Sequence, residues 1–194
     1  MNTYKTIIKS ILPLLLVMGM VGAAHAQTVN NTMTGTAQLV DNITIDPATG
    51  DSASVDFGQV LTNVTSAIYL DPKGENNTNV GSSASIGVFK IGGSAGTKVS
   101  INYNETVTMS GDNNSSNTIH WLPAITYDQS SPMSQSGSSS LTNGQNINLN
   151  ANDLRLFIGG NLVETDGDVS TPWAGGAPNP DIYSGDITIT VTIN

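Results

Sequence analysis

Ile187-Thr188-Ile189-Thr190-Val191-Thr192-Ile193 closes the chain in strict alternation of aliphatic and hydroxylated residues. Side chains of a β-strand point to opposite faces in turn, so this segment presents one apolar and one polar face. A strand of an antiparallel sheet with one face on a core and one in water needs that pattern. The same period of two recurs upstream. Val99, Ile101 and Tyr103 alternate with Lys98, Ser100 and Asn102, and Val107 and Met109 resume after a break. Leu154, Leu156 and Ile158 repeat it before Gly159-Gly160, which reads as a tight hairpin turn. Weaker alternation predicts strands over 36–45, 53–60, 66–70, 84–91, 118–127 and 145–149.

Turn chemistry separates these runs: Asp46-Pro47, Thr49-Gly50-Asp51, Asp71-Pro72-Lys73-Gly74, Gly92-Gly93 and Ser110-Gly111-Asp112. Thr, Ser, Asn, Gly, Val and Ile dominate, and the helix formers Glu, Lys and Arg are scarce. The expected fold is all-β, a single antiparallel β-sandwich of about nine strands. Ser130 to Ser140 is low in complexity and reads as a mobile loop. Asp166 to Asp181, with three prolines and three glycines, reads as a surface loop that exposes Trp173.

The first 26 residues differ from the rest. Lys5 and Lys9 precede the apolar run Ile11–Val21, and Ala24-His25-Ala26 offers small residues where a signal peptidase cuts. This is the pattern of a secretory signal peptide, with cleavage expected before Gln27. The apolar run is shorter than the roughly 20 residues a spanning helix needs, so no transmembrane segment is expected in the mature chain. The expected location is the periplasm, the cell surface or the extracellular medium.

Cleavage leaves one domain, 27–194, of 168 residues. The four basic residues left, Lys73, Lys90, Lys98 and Arg155, face fifteen acids, and the net charge moves from −9 to −11. Such a surface repels nucleic acid and anionic membranes. The chain has no cysteine, which excludes disulfides, thiolate metal sites and an N-terminal lipid anchor.

Four motifs occur in order: Val55-Asp56-Phe57-Gly58; Ala84-Ser85-Ile86-Gly87-Val88-Phe89-Lys90-Ile91-Gly92-Gly93; Leu156-Phe157-Ile158-Gly159-Gly160-Asn161-Leu162; and Tyr183-Ser184-Gly185-Asp186-Ile187-Thr188-Ile189-Thr190-Val191. Together they resemble the secreted bacterial family known as domain of unknown function 4402, over about residues 36–194. The chain departs from it at Asp181, where Gly is usual, and at Asn194, where an aromatic is common. The resemblance implies an exported, immunoglobulin-like sandwich. It implies no activity, and no functional residue is carried over.

The residues explain these motifs structurally. Phe57 reads as a core aromatic, Gly58 as a bend, and Tyr183 as a corner tyrosine with its hydroxyl on a backbone carbonyl.

Catalysis finds little support. Once His25 leaves with the leader, His120 stands alone in a strand beside Trp121, with no second His or Cys for a triad or a zinc site. The chain reads as no enzyme. Calcium is the cation that its chemistry suits best, because carboxylates in turns supply oxygen ligands. Glu164, Asp166 and Asp168 cluster about Gly167, and Asp46 and Asp51 flank a second turn. Neither fits the EF-hand spacing, and an acidic turn is ordinarily just solvated. Trp173 is the one residue placed to stack on a sugar, although a lone loop tryptophan more often packs down on its domain. Trp121 reads as core. Asn-x-Ser/Thr triplets such as Asn42-Ile43-Thr44 arise by chance in so Asn- and Thr-rich a chain.

Three functions compete. The first is a structural or adhesion-type module at the cell surface, self-associating or joining protein partners by strand addition through the Thr28–Val40 segment. For that segment, pairing as the first strand of its own domain is the simpler expectation. The second is a ligand-binding module for glycan or calcium. The third is a small outer-membrane barrel, which nine mature aromatics and many Asn/Ser/Thr-rich strands fit poorly.

Overall fold

The computed structural model describes residues 28–32, 44–47, 53–151, 153–164, 168–174 and 178–194, and for 28–32 and 45–47 the strand pairing alone. The expected signal peptide and residues 33–43 lie outside the described residues. All regular structure in the described residues is strand, with no helix.

Among the described residues twelve strands form two antiparallel sheets. The four-stranded sheet has the order β1 (Thr28–Thr32), β12 (Thr188–Ile193), β5 (Lys98–Tyr103), β9 (Gln145–Asn148). The larger sheet runs β11 (Tyr183–Ser184), β6 (Val107–Gly111), β7 (Thr118–Asp128), β10 (Leu154–Val163), β4 (Gly87–Gly92), β2 (Thr44–Pro47). In addition, β3 (Ile68–Leu70) pairs with β10 and β8 (Ser139–Ser140) with β7. Neither sheet closes on itself among the described residues: β1 and β9 bound one, β11 and β2 the other.

The alternating aliphatic residues do what their period predicts. Ile189 and Val191 on β12, Val99 and Ile101 on β5 and Ile147 on β9 join Trp121 and Ile125 on β7 and Leu154, Leu156 and Ile158 on β10 in one buried cluster. Both sheets thus supply a single core. Each such side chain contributes on the order of 1.5–3 kcal/mol by leaving water. Phe57 meets Trp121 edge-on, ring centroids 6.3 Å apart at 77°, a favoured aromatic geometry.

Several expectations are corrected. Gly159-Gly160 is no hairpin turn but the middle of β10, which runs unbroken for ten residues. A Cβ on Gly159 would collide with the Leu70 carbonyl oxygen, and one on Gly160 with that of Leu122. The glycines are there because neighbouring backbone passes close. The 53–60 stretch is not a strand and gives one isolated bridge, Asp56 to Ser85.

The Ser130–Ser140 loop is held by hydrogen bonds. Asp128 accepts the Ser130 and Ser134 N–H groups at 3.0 and 2.7 Å, and the buried Ser138 hydroxyl donates to Thr126 Oγ1 at 2.8 Å. Low complexity concealed these contacts, because serine serves as readily in a fixed turn as in a solvated one. Thr28–Thr32 pairs antiparallel with β12 in its own chain, the simpler of the two expectations for that segment.

Candidate functional site

At the β11–β6 margin of the larger sheet lies a cleft of about 540 Å³. Its floor follows from strand register. Met109 on β6 sits opposite Ile119 on β7, and Leu162 on β10 opposite Trp121, so these side chains share the core-facing side of the sheet. One wall is the 55–62 loop and the other the 178–183 loop, with Trp173 between them.

Both walls are fixed by backbone capture. On the first, the Asp56 carboxylate accepts the Gly58 N–H at 2.7 Å, and Gly81 N–H donates to the Phe57 carbonyl at 2.8 Å. On the second, the Tyr183 hydroxyl donates to the Asn179 carbonyl at 2.7 Å, the corner arrangement that the sequence predicts. Asp181 accepts from the Asn113 backbone and side chain at 3.1 and 2.7 Å, from Asn114 N–H at 3.3 Å and from Ile182 N–H at 2.8 Å. Partial burial pushes its carboxyl up, but the Asn113, Ile182 and Asn114 donors outweigh this and hold it below the ordinary value. The Asp181 carboxylate thus ties the 178–183 wall to the turn between β6 and β7.

The mouth is apolar. Leu61 and Ile182, on opposite walls, are each 69% exposed. No Lys or Arg is among the residues that line the cleft, while Asp56 and Asp181 are.

Trp173 is not displayed on the surface loop as the sequence suggested. It is half-buried against the core cluster, and its indole N–H is buried without an acceptor among the described residues. The fold draws it in because the neighbouring Pro172 is buried and its carbonyl accepts the Glu164 N–H at 2.8 Å, tying the loop to the end of β10. A bulky apolar ring brought that close gains more by covering the core than by facing water.

Of the calcium candidates, Asp166 lies outside the described residues, and Glu164 and Asp168 flank the 165–167 gap. Asp168 is exposed, and its Oδ1 accepts Ser170 N–H and Oγ at 2.8 and 2.7 Å and Thr171 N–H and Oγ1 at 2.8 and 3.0 Å. The Ser170 hydroxyl, then the Thr171 and Ser170 N–H groups and the Thr171 hydroxyl, hold its carboxyl down at about 2. Among the described residues no three His, Cys, Asp or Glu side chains gather into a metal-holding group. His120 is half-buried on β7, facing Thr108 and Val163 by register.

Sequence reasoning missed the cleft itself. Its signal was there in Leu61 and Ile182, aliphatic residues inside turn-rich segments, but only the register of β6, β7 and β10 gives them a common floor. Compared with family models, curated proteins and solved structures, the chain matches none.

Proposed function

We propose that the chain is an exported, non-enzymatic β-sandwich of immunoglobulin-like type, akin to the secreted family its motifs resemble, and that it serves as a structural or adhesion-type module at the cell surface, as a subunit of a surface assembly. One observation carries this reading. The strand β1, which starts one residue past the expected cleavage point, is an edge strand whose sole strand partner among the described residues is β12. An edge element held by one ladder can exchange between copies, each copy's β1 pairing with the next copy's β12 without any new contact type. The carboxylates of Asp71, Asp128, Asp168 and Asp181 support the non-enzymatic part, since each is engaged by two or more hydrogen bonds from loop or turn backbone.

Thr28 stands opposite Thr192, so cysteines at both positions fall within disulfide reach. In the oxidised Thr28→Cys/Thr192→Cys variant, exchange gives a covalent ladder on a non-reducing gel. A purely monomeric, internally closed species overturns the assembly reading, and an uncleaved cytoplasmic chain overturns the export reading.

The second reading, a ligand-binding module, is favoured by the cleft beside Trp173. The barrel reading is disfavoured by the open sheet edges and the shared aliphatic core.

A further inference from the structure

We propose that the cleft between the 55–62 and 178–183 loops docks a segment of a partner protein that presents aliphatic side chains next to a Lys or Arg. Three observations fix the chemistry of the occupant. First, Leu61 and Ile182 at the mouth are two of the three large apolar side chains strongly exposed among the described residues; the third, Val169, lies in the loop of Trp173. Exposed aliphatic side chains gathered at one rim mark an interaction surface, whereas scattered ones do not. Second, the floor of Met109, Ile119 and Leu162 is apolar, and a cleft of about 540 Å³ falls in the range that takes a few side chains. Third, the charge near the cleft is of one sign. Asp56 and Asp181 line it, and no basic residue does. Of the chain's own cations beyond the leader, Lys90 is paired with Asp153 at 2.8 Å, and Lys73, Lys98 and Arg155 lie away from the cleft lining.

A cationic, apolar segment complements both features. A second copy does not, because none of the strongly exposed aliphatic side chains among the described residues, Leu61, Val169 and Ile182, stands next to a Lys or Arg in the sequence. A glycan would need an open aromatic face, and the Trp173 ring is half-buried against the core. An anionic membrane is repelled by the same carboxylates.

The test is an NMR titration of the mature chain, following its amide and indole signals. The probes are the peptide acetyl-Lys-Ile-Leu-Val-Lys-amide, its counterpart with both Lys replaced by Glu, a soluble β-glucan oligosaccharide and phosphatidylglycerol vesicles. The expected result is saturable shifts confined to 55–62, 173 and 178–183 with the cationic peptide, weakened by added salt, and about tenfold weaker with the acidic one. Leu61→Asp and Ile182→Asp, at side chains too exposed to matter for folding, abolish the shifts while the rest of the spectrum stays unchanged. Equal response to both peptides, shifts elsewhere, no saturable response, or cleft shifts with the oligosaccharide or vesicles instead each overturn the proposal.

Discussion

The indole N–H of Trp121 donates to the carbonyl oxygen of Gly159 at 3.0 Å, inside the core and across the β7–β10 ladder. This bond ties the largest core aromatic to the strand position where two glycines let the backbones approach. Gly160 has φ of 134°, and a Cβ there would meet Trp121 Nε1 at 2.8 Å and Ala124 N at 2.9 Å.

Gly159→Ala and Gly160→Ala are therefore each expected to destabilise the protein by about 1–3 kcal/mol or more, the scale of overpacking a filled core. Gly96→Ala is a control for positive φ alone, since a Cβ there meets nothing within 4 Å. Urea unfolding of the three variants checks the ranking. If the Gly96 variant loses as much as the other two, close backbone approach is not the cause.

Asp71 is 5% exposed, and its carboxylate accepts the N–H groups of Lys73, Glu75 and Asn76 at 2.9, 3.2 and 2.9 Å. Asp71→Ala removes all three acceptor contacts at once and is expected to cost about 1.5–3 kcal/mol. Asp71→Asn keeps one acceptor oxygen and is expected to cost less. Equal midpoints in thermal melts of the two variants would contradict this.

Asp168 has a folded carboxyl value of about 2, below the ordinary aspartate value of about 3.9. A group depressed by folding stabilises the native state above its unfolded value and loses that contribution as pH falls through the folded one. Acid is thus expected to release the 168–171 turn between about pH 4 and pH 2. A carboxyl-carbon NMR titration reads the midpoint directly, and a midpoint near the ordinary value rejects the turn geometry. With its Oδ1 already accepting four hydrogen bonds, Asp168 is also expected to leave the melting curve unchanged between calcium and chelator. A saturable rise with calcium would assign a site at Glu164, Asp166 and Asp168.

Export is expected to yield a mature chain that starts at Gln27. N-terminal sequencing of the protein recovered outside the cytoplasm checks this, and a retained Met1 contradicts it.

The sequence by itself determined the class of fold and the inward faces. Ile189 and Val191, Val99 and Ile101, and Leu154, Leu156 and Ile158 are buried where their alternation puts them, because the period of a strand is a local property of the backbone. The Tyr183 hydroxyl on a backbone carbonyl was legible too, although only the structure names the acceptor, Asn179. What only the tertiary structure decided depends on partners far away in sequence. The glycine pair became a strand centre because β3 and β7 press against it. Trp173 was drawn inward, and Leu61 and Ile182 line one cleft because β6, β7 and β10 supply its floor. Such contacts are set by which strands pair and in what register, and no window of local sequence carries that information.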